Sequence, residues 1–79
     1  MTIEQAKKKL DDIAKGDYHS VRHEITVYSN GEEVNEYGVY TNNYLWLFGN
    51  SFEEVLDKLE RKINETNNSS NDNQLSNKP

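Results

Sequence analysis

Residues 44–63 read YLWLFGNSFEEVLDKLERKI and hold the densest apolar run of the chain, a turn and a helix start. Tyr44, Leu45, Trp46, Leu47 and Phe48 are consecutive large apolar residues, too short a run for a core helix and rich in aromatics, so they read as a strand. Gly49 stops it. Ser51 followed by Glu54 has the spacing at which a hydroxyl and a carboxylate satisfy free amides at a helix start, which predicts a helix from Phe52. Phe52, Val55, Leu56, Leu59 and Ile63 share one face of that helix, and charged residues take the other. The apolar face needs a sheet to pack on.

Upstream, two further strands are legible. Val21, His23, Ile25 and Val27 alternate with Arg22, Glu24, Thr26 and Tyr28 over residues 21–29. Asn30-Gly31 marks a hairpin, a second strand covers residues 34–41, and Asn42-Asn43 turns into the Tyr44 strand. A strict two-residue Asn-Gly loop would pair Ile25 with Glu36 and bring a carboxylate onto the core face. Sliding by one residue pairs Ile25 with Tyr37 and His23 with Val39, so a longer loop or a bulge is expected around Asn30 to Glu33. A two-residue Asn42-Asn43 turn then sets Val39 beside Trp46 and Tyr37 beside Phe48. The expected core face is Val21, His23, Ile25, Val27, Tyr37, Val39, Trp46 and Phe48.

At the N-terminus, Thr2 and Gln5 repeat the capping spacing, and Ile3, Ala6, Leu10, Ile13 and Ala14 form an apolar stripe that Gly16 ends. After Ile63 the chain becomes NETNNSSNDNQLSNKP, with Leu75 its single large apolar residue. Such composition predicts a disordered tail over residues 65–79 beside one domain over residues 1–64. Asn64, Asn67 and Asn68 begin glycosylation-type triplets, read as by-products of an Asn/Ser-rich tail. The expected class is α+β: helix, three-stranded antiparallel meander, helix, with both helices on one face of the sheet.

The chain has 79 residues, no cysteine and a formal charge of -5. Disulfides and thiolate chemistry are excluded, and an acidic balance opposes binding to a phosphate backbone. No apolar run reaches the length of a signal peptide or a membrane span, which predicts a soluble cytoplasmic protein. His19 and His23 lie four apart on an extended segment, about 13 Å from one another, too far to share a metal. No serine is set in a catalytic constellation of histidine and carboxylate, and no Gly-rich phosphate loop exists. Neither an enzyme nor a cofactor is expected.

The element order over residues 2–63 resembles the double-stranded-RNA-binding domain topology. That family carries lysines at the start of the second helix, whereas this chain reads Asn50-Ser51-Phe52-Glu53-Glu54 there. Nucleic-acid binding is therefore the alternative expectation. In size, acidity and low-complexity tail the chain is similar to small accessory proteins of phages and mobile elements, anti-CRISPR inhibitors among them. That resemblance implies a protein partner in the host cytoplasm, such as a nuclease or defence complex.

The surface expected to meet a partner follows from excess apolar residues. If Tyr44, Trp46 and Phe48 serve the core, Leu45 and Leu47 point outward beside Tyr40, with Tyr28 and Val34 extending the patch and Glu32, Glu33 and Glu36 as its acidic margin. The same strand lies at a sheet edge, so a homodimer through it is a second expectation. On this reading, changing Leu45 and Leu47 together to threonine leaves the fold intact and removes association.

Overall fold

The computed structural model describes the backbone of residues 1–76 and the side-chain surroundings of residues 1–66. The elements are α1 (Ile3–Ala14), β1 (His19–Val27), β2 (Glu33–Thr41), β3 (Leu45–Gly49) and α2 (Phe52–Ser76). The strands form one antiparallel sheet in the order β1-β2-β3, with both helices on one face.

Both helix starts are set by local chemistry. The Gln5 amide donates to Thr2 Oγ1 at 3.1 Å and the Thr2 amide donates to Gln5 Oε1 at 2.8 Å, a reciprocal cap. At α2 the Glu54 amide donates to Ser51 Oγ at 3.1 Å, but the Glu54 carboxylate reaches further back and accepts from the Asn50 amide at 3.1 Å. A Cβ at Gly49 would collide with that carboxylate. Gly49 thus makes room for the cap as well as ending the strand.

Helical backbone in α2 continues past Ile63 to Ser76. Thr66 is still engaged, accepting from the Tyr44 hydroxyl at 3.3 Å and donating to the Lys62 carbonyl at 2.9 Å. The side chains of Asn67, Asn68 and Leu75, on which much of the tail expectation rests, lie outside the described residues.

Ala6 and Leu10 from α1, Val39 from β2 and Phe52, Val55, Leu56 and Leu59 from α2 form the buried core. Ile13, Ala14, Val21, Tyr37, Tyr44, Leu47 and Ile63 pack around it. So small a core makes each large residue matter: Leu56→Ala should cost about 2–5 kcal/mol.

The first hairpin keeps the expected faces in a register shifted by two residues. The Tyr28 amide donates to the Glu32 carbonyl at 2.8 Å and the Gly31 amide to the Tyr28 carbonyl at 2.9 Å, with Gly31 at φ 90. This is a three-residue loop closed by a left-handed glycine. It pairs Val21 with Val39 and His23 with Tyr37, in place of the expected His23 with Val39 and Ile25 with Tyr37. Ile25 and Val27 therefore face Asn35 and Glu33 beyond the reach of the helices, and are 55% and 65% exposed.

In the second hairpin the faces themselves are reversed. Asn42, Asn43 and Tyr44 all lie in the loop, so Val39 pairs with Leu47 and Tyr40 with Trp46. The Tyr44 amide donates to Thr41 Oγ1 at 3.1 Å, Leu45 takes φ 59, and the Tyr44 ring packs back against the core. One added loop residue sends every β3 side chain to the opposite face. Leu47 packs under the helices, while Trp46 and Phe48, expected in the core, are each 39% exposed on the outer face.

His19 fastens β1 to α1. Its Nε2 lies 2.5 Å from Asp11 Oδ1 and its Nδ1 2.6 Å from the Asp17 carbonyl. Both ring nitrogens meet acceptors, an arrangement only the doubly protonated imidazolium satisfies. The Asp11 carboxylate, then the Asp17 carbonyl, raise the His19 pKa above its ordinary 6.5. Hydrogen bonds from Lys7 and then His19 hold Asp11 below its ordinary 3.8. A raised histidine pKa contributes stability that is full below the unfolded value and lost as pH rises through the folded one; the lowered aspartate contribution is lost as pH falls. The contact is strongest between about pH 4 and 6.5. Urea titrations of wild type and His19→Gln should diverge more at pH 5.5 than at pH 9, and an equal difference at both would refute a charged His19.

Candidate interaction surface

Strand alternation sets β2 residues Val34, Glu36, Gly38 and Tyr40 on the face away from the helices, beside Phe48 and Trp46 of β3 and Arg22 and Glu24 of β1. The aromatics form a ladder. Tyr18 and Tyr40 meet edge to face with ring centroids 5.8 Å apart, Tyr40 and Trp46 are tilted at 5.5 Å, and Trp46 and Phe48 stack at 5.7 Å with an interplanar angle of 10°. The Arg22 guanidinium lies 5.8 Å from the Trp46 ring centroid.

Gly38 allows this ladder to lie flat on the sheet. A Cβ there would sit 2.9 Å from Phe48 Cε1 and 3.4 Å from Trp46 Cε3, so the rings occupy the space of a missing side chain. The charged surround is predominantly acidic. Glu24 and Glu36 face each other across β1 and β2, a like-charge pair relieved on one side by Arg22, 3.0 Å from Glu24 Oε2. Beyond Phe48 an open groove of about 310 Å³ runs between Val34 and Glu36 of β2 and Glu54 and Lys58 of α2. It follows from strand length, since β3 stops opposite Tyr37 while β2 continues to Glu33 with β1 as its one neighbour.

Of the residues expected to meet a partner, Val34, Glu36 and Tyr40 share this face. Tyr28 and Glu32 lie at the first hairpin, with Tyr28 52% exposed. Glu33 faces the helix side opposite Val27, and its carboxylate accepts from Asn35 Nδ2 at 3.0 Å. Leu45 is exposed at the mouth of the second loop, whereas Leu47 belongs to the core margin. Trp46, Phe48, Gly38 and Arg22 were not among the expected site residues. The signal available for them was a mid-strand glycine in a chain with two adjacent aromatic positions, since glycine inside a strand often marks close approach by another group.

Among the described residues no group of three or more His, Asp or Glu side chains is arranged to hold a metal, and no helix is long and apolar enough to cross a membrane. Compared with known proteins, the chain matches no family model, no curated protein and no solved structure.

The reversed faces of β3 have a direct test. Leu47→Asp puts a carboxylate under the helices and should cost more than about 3 kcal/mol of unfolding free energy. Trp46→Arg, whose stem can lie along the sheet with its head in water, should cost no more than about 1–2 kcal/mol. Denaturant melts with the opposite ranking would return Trp46 to the core.

Proposed function

We propose that this protein is a non-enzymatic protein-binding module whose outer sheet face receives a basic partner surface. The observation that carries the reading is the exposed Tyr18–Tyr40–Trp46–Phe48 ladder, laid over the gap at Gly38. Contiguous aromatic surface is typical of interaction sites, where tyrosine and tryptophan supply rigid contact area. Glu24 and Glu36 beside the ladder, and a chain charge of -5, favour a partner that brings Lys or Arg to this face. A host nuclease or defence complex offers such a surface in its basic nucleic-acid channel. Inhibition of that class of enzyme, by a phage or mobile-element product, is the specific form of the proposal.

A second reading has one feature in its favour. Stacked Trp46 and Phe48 with Arg22 over the indole are the parts of a platform for unpaired bases. The acidic surround opposes it, because binding of this kind depends on a positive groove along the phosphates.

Trp46 is the single tryptophan of the chain, so its fluorescence reports on this face. Titration with single- and double-stranded RNA and DNA at low salt should leave the emission unchanged. Affinity capture should retain a specific protein on wild type and lose it on Trp46→Ser/Phe48→Ser, with circular dichroism verifying the fold. Capture that is indifferent to the double substitution would refute the surface assignment. Salt-sensitive quenching by nucleic acid would favour the second reading.

A further inference from the structure

The two edges of the sheet are not equivalent. On β3 the groups turned outward belong to Trp46, Phe48 and the following Asn50, and α2 engages two of them. Lys58 Nζ donates to the Phe48 carbonyl at 2.7 Å, and the Asn50 amide donates to Glu54 Oε2 at 3.1 Å. The edge proposed from sequence for self-association is thus engaged by α2 at its C-terminal end. The β1 edge has no such cover. The Tyr28 amide donates to the Glu32 carbonyl, which fixes the alternation: even-numbered β1 residues turn their backbone groups to β2. His19, Val21, His23, Ile25 and Val27 turn theirs outward, and no backbone hydrogen bond among the described residues takes them up.

Native sheets blunt an edge of this length with proline, bulges or very short strands. β1 pairs in unbroken register across 9 residues, and the one proline of the chain is Pro79. Its sequence is also self-complementary about His23. In an antiparallel pair of β1 strands with the twofold axis at His23, Arg22 faces Glu24 of the second copy, Val21 faces Ile25, and Ser20 faces Thr26. Outward-turned residues meet outward-turned residues, as the hydrogen-bond alternation requires. Centring the axis at Val21 or Ile25 instead breaks the opposite-charge pairing.

We infer that β1 pairs with β1 of a second copy of this chain about a twofold axis at His23, forming a six-stranded antiparallel sheet. The pairing brings exposed Ile25 beside Val21 of the second copy, a residue packed against that copy's core. It also carries both aromatic ladders on one continuous outer face, so the dimer presents two equivalent copies of the surface described above. The inference stands on the edge alone and is independent of what that surface binds.

Sedimentation equilibrium of the full chain at tens of micromolar should give twice the mass of one chain. Arg22→Glu should weaken the dimer about tenfold or more, since two cross-strand pairs become repulsive at once, and Arg22→Glu/Glu24→Arg should restore it. Ile25→Pro removes an amide that the monomer does not use and should yield folded monomer by circular dichroism. His23→Cys should cross-link to itself on oxidation, because residues at a hydrogen-bonded antiparallel pair lie about 5.5 Å apart between Cα atoms. A wild type that stays monomeric into the hundreds of micromolar overturns the inference. So does a dimer that survives the Arg22→Glu change undiminished.

Discussion

The turn from Thr41 to Leu45 governs the rest of this structure. Holding Tyr44 in the loop, with its amide on the Thr41 hydroxyl and its ring against the core, gives β3 a register of Val39 with Leu47. Leu45 takes a left-handed conformation at φ 59 to allow it, a position that costs an L-residue on the order of 1–2 kcal/mol. The gain is that Leu47 joins the core margin, while the two largest aromatics of the strand close over Gly38 on the other side. Had the loop been one residue shorter, the aromatic face would not exist.

Element order, strand number and both helix starts were legible because each rests on local chemistry that a few adjacent residues specify. The Thr2/Gln5 and Ser51/Glu54 pairs are the clearest cases. The orientation of β3 was not legible for a physical reason. Every residue from Tyr44 to Phe48 is large and apolar, so alternation gives no preference, and only the length of the Asn42-Asn43-Tyr44 loop decides. In β1 the alternation was clear and the faces were read correctly, but the loop chemistry of Ser29-Asn30-Gly31 slid the register by two residues. Ile25 and Val27 consequently extend past the helices that were to cover them.

The outer face and the free edge come from one economy of packing. Two helices cover one side of three strands, and the core they form with Val39 has no use for Trp46, Phe48 or Tyr40. Those rings gather around a glycine, under a guanidinium and beside carboxylates, and this is the surface we propose for a basic protein partner. α2 takes up the Phe48 carbonyl and the Asn50 amide at the β3 edge through Lys58 and Glu54, whereas among the described residues no such contact meets the outward backbone of β1.

Proton NMR reads the register of β3 directly. In an antiparallel sheet, residues opposite one another at non-hydrogen-bonded positions bring their Cα atoms to about 4.5 Å, close enough for strong Hα–Hα cross-relaxation. The register described here makes Tyr40 with Trp46 and Gly38 with Phe48 such pairs. Nuclear Overhauser cross-peaks between those Hα protons are the predicted result. Cross-peaks linking Tyr40 with Leu45 and Gly38 with Leu47, the pairs that a loop one residue shorter would bring together, would contradict it and return the aromatic face to the core.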